Sequence, residues 1–139
     1  MAYEILAPTD FSLASETSYS YARMMAHYLS ARLDVLHVFG VPASSKFQSV
    51  QELEEKERIA LQEARHNMAE FIQRMKHQAP FSPPSEHHLV KFGIAFEQVL
   101  NLTEHVPYSM VVMGTKGVNN VETKLFGTNT STLLSDSPI

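Results

Sequence analysis

Two glycine-containing segments near the end of the chain have the residue types of a phosphate-binding loop. The first is Gly114-Thr115-Lys116-Gly117, and the second, after nine intervening residues, is Gly127-Thr128-Asn129-Thr130. Glycines let a backbone approach an anion closely, and the free N–H groups of a helix N-terminus favour phosphate. Each such interaction contributes only about 0.3–1 kcal/mol, so several amides and a lysine would have to act together. Isolated glycines more often serve only to make turns, so both interpretations stand at this point.

A carboxylate follows the first apolar segment of the chain, in the sequence Pro8-Thr9-Asp10. It could accept hydrogen bonds from a base amine or a ribose hydroxyl, or help to position a metal ion. Asp10 also lies two residues before Ser12, where a local turn or a helix cap explains it equally well.

Other chemistry is absent from the sequence or unsupported by it. There is no G-x-G-x-x-G after the first apolar segment, no Walker A motif and no G-x-S-x-G elbow. The chain has no cysteine, which excludes disulfides, thiolate nucleophiles and sulfur-ligated zinc. His87 and His88 are adjacent on a predicted strand and should point to opposite faces, so a metal site is not expected there. No nucleophile is placed beside a base, so covalent catalysis is unsupported.

Hydrophobic periodicity predicts the elements that must position these residues. Short apolar segments predict strands at residues 3–9, 33–39, 87–92 and 110–113, and apolar residues at helical spacing predict helices at 12–31, 50–77 and 95–105, with a fourth starting near Gly127. Ser12 is available to cap the first helix, and residues 40–49 read as a loop. The alternation of strands and helices predicts an open, doubly wound parallel sheet, the Rossmann-like α/β class. Such sheets bind ligands beyond the carboxyl ends of their strands.

Length and charge limit the remaining possibilities. The 139 residues are the size of one domain, and 44% hydrophobic content is typical of globular chains. A formal net charge of −4 disfavours a broad basic surface, so neither nucleic acid nor a membrane is expected as a partner. No apolar run is long enough to span a bilayer, and no basic n-region precedes the first apolar segment. We therefore expect a cytoplasmic protein.

Three parts of the sequence together resemble the universal stress protein A family, over essentially the whole chain. They are residues 5–12 (ILAPTDFS), residues 36–38 (LHV) and residues 112–128. In the last of these, VM precedes Gly114, the first glycine of the pattern G-2x-G-9x-G-[ST] of the ATP-binding branch. The resemblance implies binding of ATP or another adenine nucleotide, with Mg²⁺ or Mn²⁺ as candidate companions. It implies a pocket for adenine and ribose formed by Pro8, Thr9, Asp10 and Val38, with Met113 and Gly114 leading into it. It implies a phosphate site formed by Thr115, Lys116, Gly117, Gly127, Thr128, Asn129 and Thr130.

The chain departs from the family pattern in two places. Asn129 stands where the family often has a small apolar residue. The family's last strand follows a proline and is rich in valine and leucine, whereas this chain ends at Ser137-Pro138-Ile139. We therefore expect that strand to be missing, as in a shortened chain or one half of a tandem protein. The fourth strand would then have an unpaired apolar edge, which invites association.

The leading functional hypothesis is a nucleotide-binding module that acts in the stress response through its oligomeric state, as a homodimer or tandem pair, or through partners. Any ATP hydrolysis should be slow, because the sequence offers no general base beyond Asp10. One alternative is a ligand-independent scaffold of the same family that uses residues 44–58 as its contact surface. A second is an adenylating enzyme or a flavoprotein, although neither an S-G-G-x-D-S-like loop nor a flavin phosphate loop is found.

Overall fold

The computed structural model describes residues 3–40, 49–78, 80–114 and 121–124. The strands are β1 (Glu4–Pro8), β2 (Arg32–Phe39), β3 (Ser85–Phe92), β4 (Met110–Gly114) and β5 (Val121–Lys124), and the helices are α1 (Leu13–Leu29), α2 (Val50–Gln78) and α3 (Ala95–His105). The first three predicted helices and the four predicted strands are confirmed to within about two residues at each end. The fourth helix predicted near Gly127 and most of the loop predicted at 40–49 lie outside the described residues.

The strands form one sheet in the order β3-β2-β1-β4-β5. Parallel pairing joins β1 to β2, β2 to β3 and β1 to β4, which confirms the predicted doubly wound parallel sheet. The chain builds outward from β1 through β2 to β3, and β4 then returns to the other side of β1. The strand order therefore reverses beside β1, and a crevice opens there at the carboxyl ends of the strands.

The edge of β4 differs from the prediction. It is not unpaired, because β5 pairs with it in the antiparallel sense, with Val111 opposite Lys124 and Gly114 opposite Val121. Only residues 115–120 separate the two strands in the sequence, and a parallel crossover needs about a dozen residues or more. An antiparallel return is therefore the only pairing open to so short a connection. The four residues of β5, VETK, include a single apolar residue, which is too weak a signal to predict a strand.

β1 lies in the middle of the sheet, and its side chains alternate between two apolar clusters. Ile5 and Ala7 pack into the cluster formed with α1 and α2, whereas Leu6 packs into the cluster formed with α3. The buried residues of α2 all lie in its second half, at Ala64, Met68, Phe71, Ile72 and Met75. Both faces of β1 are thus covered, as a nearly continuous apolar strand requires.

A buried ionic network ties α1 to β3 and was not foreseen from the sequence. The Arg23 guanidinium donates to the Glu86 carboxylate at 2.6 Å, to the Tyr19 hydroxyl at 3.0 Å and twice to the Phe81 carbonyl. Glu86 also accepts from the Tyr19 hydroxyl at 2.8 Å and from His88 at 2.6 Å. Burial alone raises the pKa of Glu86, but its bonds to His88 and Tyr19 and the charge of Arg23 outweigh burial and hold that pKa below its ordinary value.

A second buried carboxylate lies under α3. Asp34 on β2 accepts a hydrogen bond of 2.5 Å from the Tyr108 hydroxyl and two of 3.1 Å from Arg32. His87 lies 3.3 Å from the same carboxylate. Within the described ranges, no three histidine, aspartate or glutamate side chains come together as metal ligands would. No helix in those ranges combines the length and the apolarity needed to cross a membrane.

Candidate functional site

A cleft of about 200 Å³ lies at the carboxyl ends of the central strands, where the strand order reverses. Its lining comes from the ends of β1, β2 and β4, from the first turn of α1 and from α3: Pro8, Thr9, Asp10, Ser15, Leu36, Val38, Ala95, Val99, Met113 and Gly114. Complete ligand pockets are commonly about 300–1,000 Å³, so this volume suits one part of a nucleotide rather than the whole. A larger hollow of about 390 Å³ lies between α2 and β3, the edge strand, away from the reversal of strand order beside β1. Fold topology therefore favours the smaller cleft as the candidate site.

Asp10 begins a tight turn that carries the chain from β1 into α1. Its Oδ1 atom accepts the Ser12 N–H at 2.9 Å, two residues on, which is the bond of an Asx turn. The same Oδ1 accepts the Ser15 hydroxyl at 2.8 Å. Ser12 is the N-cap of α1, and its Oγ accepts the Ser15 N–H at 3.2 Å. The two interpretations that the sequence left open for Asp10 are therefore compatible, because the residue makes a local turn and also lines the cleft.

The carboxyl group of Asp10 is better suited to accepting hydrogen bonds than to acting as a general base. Partial burial raises its pKa, but the hydrogen bonds from Ser12 and Ser15 outweigh burial and hold the pKa below its ordinary value. A general base works best with a pKa near the working pH, so this carboxylate is poorly suited to proton abstraction. It remains ionised at neutral pH and can accept a hydrogen bond from an amine or a hydroxyl.

The turn before α1 is held in place from β2. The Thr9 N–H donates to the Leu36 carbonyl at 2.8 Å, and the Thr9 carbonyl accepts from Nδ1 of His37 at 2.9 Å. Phe11 has a positive φ of 66°, which is unusual for a bulky residue, and its N–H donates to the Thr9 hydroxyl at 3.0 Å. The centroid of its ring lies 4.2 Å from the centroid of the His37 ring and 5.3 Å from that of the Phe71 ring. Contacts with both the sheet and α2 thus offset the unfavourable backbone conformation.

Gly114 ends β4 directly against the first turn of α1. A Cβ atom at this position would lie 2.5 Å from the Ala14 carbonyl oxygen, 2.7 Å from its carbonyl carbon and 2.9 Å from its Cβ. Real Cβ atoms essentially never approach other atoms within 3.0 Å. The sequence suggested that this glycine serves the approach of an anion. Packing of β4 on α1 is a second and independent reason for glycine here.

Six of the predicted site residues lie together around the cleft: Pro8, Thr9, Asp10, Val38, Met113 and Gly114. The other seven, Thr115, Lys116, Gly117, Gly127, Thr128, Asn129 and Thr130, lie outside the described residues. Sequence reasoning missed four lining residues: Ser15, Leu36, Ala95 and Val99. Ser15 could have been found from its spacing of three after the N-cap, and the start of α3 from its place after a parallel strand.

The described lining of the cleft combines apolar surface with one fixed hydrogen-bond acceptor. Leu36, Val38, Val99 and Met113 supply apolar surface, and Asp10 supplies a fixed acceptor. Among the described lining residues there is no histidine, cysteine or lysine that could serve as nucleophile or base. Apolar walls with a few fixed polar groups are typical of small-molecule sites.

Comparisons with known proteins agree with this fold. The model of the universal stress protein family matches residues 1–139. The universal stress protein UspA from Lactobacillus plantarum has 22% identity and a TM-score of 0.69, over 98% of this chain and 92% of that one. A universal stress protein in complex with cAMP has 15% identity and a TM-score of 0.59, over 86% and 77%.

A universal stress protein family protein from Arabidopsis thaliana with AMP bound has 12% identity and a TM-score of 0.59, over 98% of this chain and 86% of that one. None of the curated proteins compared with the chain matches it. At these identities the solved structures show a shared fold, and the family model assigns the chain by its sequence.

Proposed function

This chain belongs to the universal stress protein family, and from that premise we propose that it binds an adenine nucleotide in the cleft at the ends of β1, β2 and β4. The observation that carries the proposal is the Asp10 carboxylate, which two donors fix on Oδ1 at the edge of an apolar cleft. Two structures with the same fold contain cAMP or AMP, which supports an adenine nucleotide as the class of ligand.

The size of the cleft suits the base and ribose, with the phosphates lying beyond Gly114. The chain continues from this residue into Thr115, Lys116 and Gly117, the first half of the glycine pattern. We propose that these residues, together with Gly127, Thr128, Asn129 and Thr130, bind the phosphates. ATP, accompanied by Mg²⁺ or Mn²⁺, is the proposed ligand because the glycine pattern is the one found in the ATP-binding branch of the family.

The proposed physiological role is that of a cytoplasmic stress-response module whose oligomeric state or partners depend on the bound nucleotide. We propose that the chain is a single universal stress protein domain, working as a homodimer or as half of a tandem protein. Catalysis is not part of the proposal, since the described lining offers no group suited to activating water.

Thermal unfolding with and without Mg-ATP tests the proposal, with AMP, GTP and FMN as comparisons. A ligand at about 100 times its Kd adds roughly 2.7 kcal/mol to the free energy of unfolding, which raises the Tm of a chain this size by several degrees. We expect a rise that is specific to adenine nucleotides. Calorimetric titration of the same samples gives the Kd.

The variant Asp10→Asn makes the test specific to the cleft. The asparagine Oδ1 can still accept from Ser12 and Ser15, so the turn is kept while the charge is lost. The matched control is Glu63→Gln, which removes one carboxylate from the exposed surface of α2. We expect weaker nucleotide binding in Asp10→Asn and none of that change in the control. Wild-type protein whose Tm does not respond to any adenine nucleotide would contradict the proposal.

A further inference from the structure

Ser15 lines the cleft, although neither its residue type nor its position in a helix marks it as a site residue. It is the third residue of α1 and is 6% exposed. A serine there commonly serves only the helix end. The N-cap function is already carried out by Ser12, whose Oγ accepts the Ser15 N–H. The side chain of Ser15 is therefore left for another role.

The hydroxyl group of Ser15 is committed to its neighbours in the turn. Its O–H donates to Asp10 Oδ1 at 2.8 Å, and its oxygen accepts the Asp10 N–H at 3.1 Å. The Ser12 hydroxyl approaches the same oxygen at 3.4 Å. A serine hydroxyl has one hydrogen to donate and two lone pairs. These contacts use all three, so Ser15 has no remaining capacity to bind a ligand directly.

We infer that Ser15 is a positioning residue, which clamps the backbone N–H and one carboxylate oxygen of Asp10 so that the other oxygen, Oδ2, is available to a donor on the ligand. The inference rests on the proposed function, since the ligand is the nucleotide proposed above. A carboxyl group otherwise rotates broadly about its last torsion angle. Two donors on Oδ1, from Ser12 and Ser15, remove that freedom before the ligand arrives, and pre-organisation of this kind increases affinity.

Ser18 provides a matched comparison one turn further along α1. It is 1% exposed, and its hydroxyl donates to the Ser15 carbonyl at 3.0 Å within the helix. Ser18 does not line the cleft. The variants Ser15→Ala and Ser18→Ala therefore remove the same atom from the same buried helix face. They differ in whether that atom reaches Asp10.

The experiment measures two quantities in each variant: the pKa of the Asp10 carboxyl group, by NMR titration without ligand, and the Kd for Mg-ATP, by calorimetry. In Ser15→Ala we expect the pKa of Asp10 to rise toward its ordinary value, because a donor to the carboxylate is lost. We expect binding to weaken about three- to tenfold, the scale of one intramolecular hydrogen bond. Ser18→Ala should change neither quantity. Ser15→Cys keeps the size of the side chain, but its S–H group is a weak donor, so we expect an intermediate pKa of Asp10 and an intermediate Kd. This variant replaces Ser15→Ala should Ser15→Ala fail to fold.

The Asp10→Asn background separates positioning from a general structural effect. If Ser15 acts through the Asp10 carboxylate, Ser15→Ala should weaken binding much less in Asp10→Asn than in the wild-type protein. Equal losses in both backgrounds, or an unchanged pKa of Asp10 in Ser15→Ala, would overturn the inference. If the wild-type protein binds the nucleotide and Ser15→Ala binds it equally well, the inference is overturned while the proposed function stands. Wild-type protein that binds no adenine nucleotide overturns both, and the titration still shows whether Ser15 contacts the carboxylate.

Discussion

Replacing Gly114 with alanine should destabilise the protein through its contact with α1, whether or not nucleotide is present. The added Cβ would lie 2.5 Å from the Ala14 carbonyl oxygen, far inside van der Waals contact. A flexible side chain could rotate away from such a contact. A backbone carbonyl that belongs to the first turn of a helix cannot, so β4 or α1 must shift.

The size of the effect follows from the nature of that contact. Overpacking a close-packed region typically lowers the free energy of unfolding by about 1–3 kcal/mol. Because the nearest atoms are backbone, we expect the upper part of that range, about 2–3 kcal/mol. For a chain of this size, that corresponds to a Tm lower by roughly 6–12 °C.

Urea unfolding provides the assay, and Gly40→Ala is the matched control. Among the described residues, the nearest atom to a Cβ at Gly40 is the Gly93 carbonyl oxygen at 3.7 Å, an ordinary contact, so the effect of Gly40→Ala should stay within about 1 kcal/mol of zero. Gly114→Ala should lower the urea midpoint without changing the m-value.

A second substitution identifies the atom responsible. Ala14→Gly removes the Cβ that would lie 2.9 Å away but leaves the carbonyl oxygen at 2.5 Å. The double variant should therefore recover little of the lost stability, with a small coupling energy in the double-mutant cycle. Equal urea midpoints for Gly114→Ala and Gly40→Ala would refute the packing argument. Full recovery by Ala14→Gly would mean that the side chain, rather than the backbone, is the obstacle.

Three further predictions address the buried networks and the glycine loop. The pKa of Glu86 is lowered from its ordinary value of 4.5, so its ionised form stabilises the fold above about pH 4.5 and that contribution is lost as the pH falls through the lowered value. Below pH 4.5 the free energy of unfolding of Glu86→Gln should therefore fall less steeply with pH than that of the wild-type protein, measured by urea unfolding at a series of pH values. An equally steep fall in both proteins would show that ionised Glu86 does not stabilise the fold. Tyr108→Phe removes the hydroxyl that donates to the buried Asp34 carboxylate. Urea unfolding at pH 7 should show a free energy of unfolding lower by about 1–3 kcal/mol, and no change would show that the hydroxyl contributes nothing to stability. Replacing Gly117 or Gly127 with valine should abolish Mg-ATP binding in calorimetry while the circular dichroism spectrum stays native, and unchanged binding in both variants would remove the loop from the site.

The sequence predicted the regular elements well because their signals are local. Apolar residues recur at helical spacing over the whole of α3, from Ala95 to His105. Gly93, with a φ of 135°, makes the turn that ends the preceding strand. The cleft was predictable from the same information, since parallel strands joined by helices place their carboxyl ends, with Asp10 and Gly114 on them, at one edge of the sheet.

The interactions that sequence reasoning missed depend on distant partners. Arg23 and Asp34 have the residue types of surface positions, yet both are buried because they bond to Glu86 and Tyr108, which lie more than sixty residues away in the chain. Ser15 escaped notice for a related reason, since its role depends on the turn geometry of Asp10. No periodicity in a single segment carries such information.

The burial of α2 divides that helix into two halves that we expect to open differently. Buried residues on α2 begin at Ala64, so its first half can unwind without exposing the core. Its second half carries Phe71, against which the Phe11 ring lies. Because of this contact, we expect the turn at the cleft to open together with the second half of α2. Amide hydrogen exchange should be fast up to about Ala64 and slow beyond it, and a ligand that tightens the turn should slow exchange on the distant half of α2.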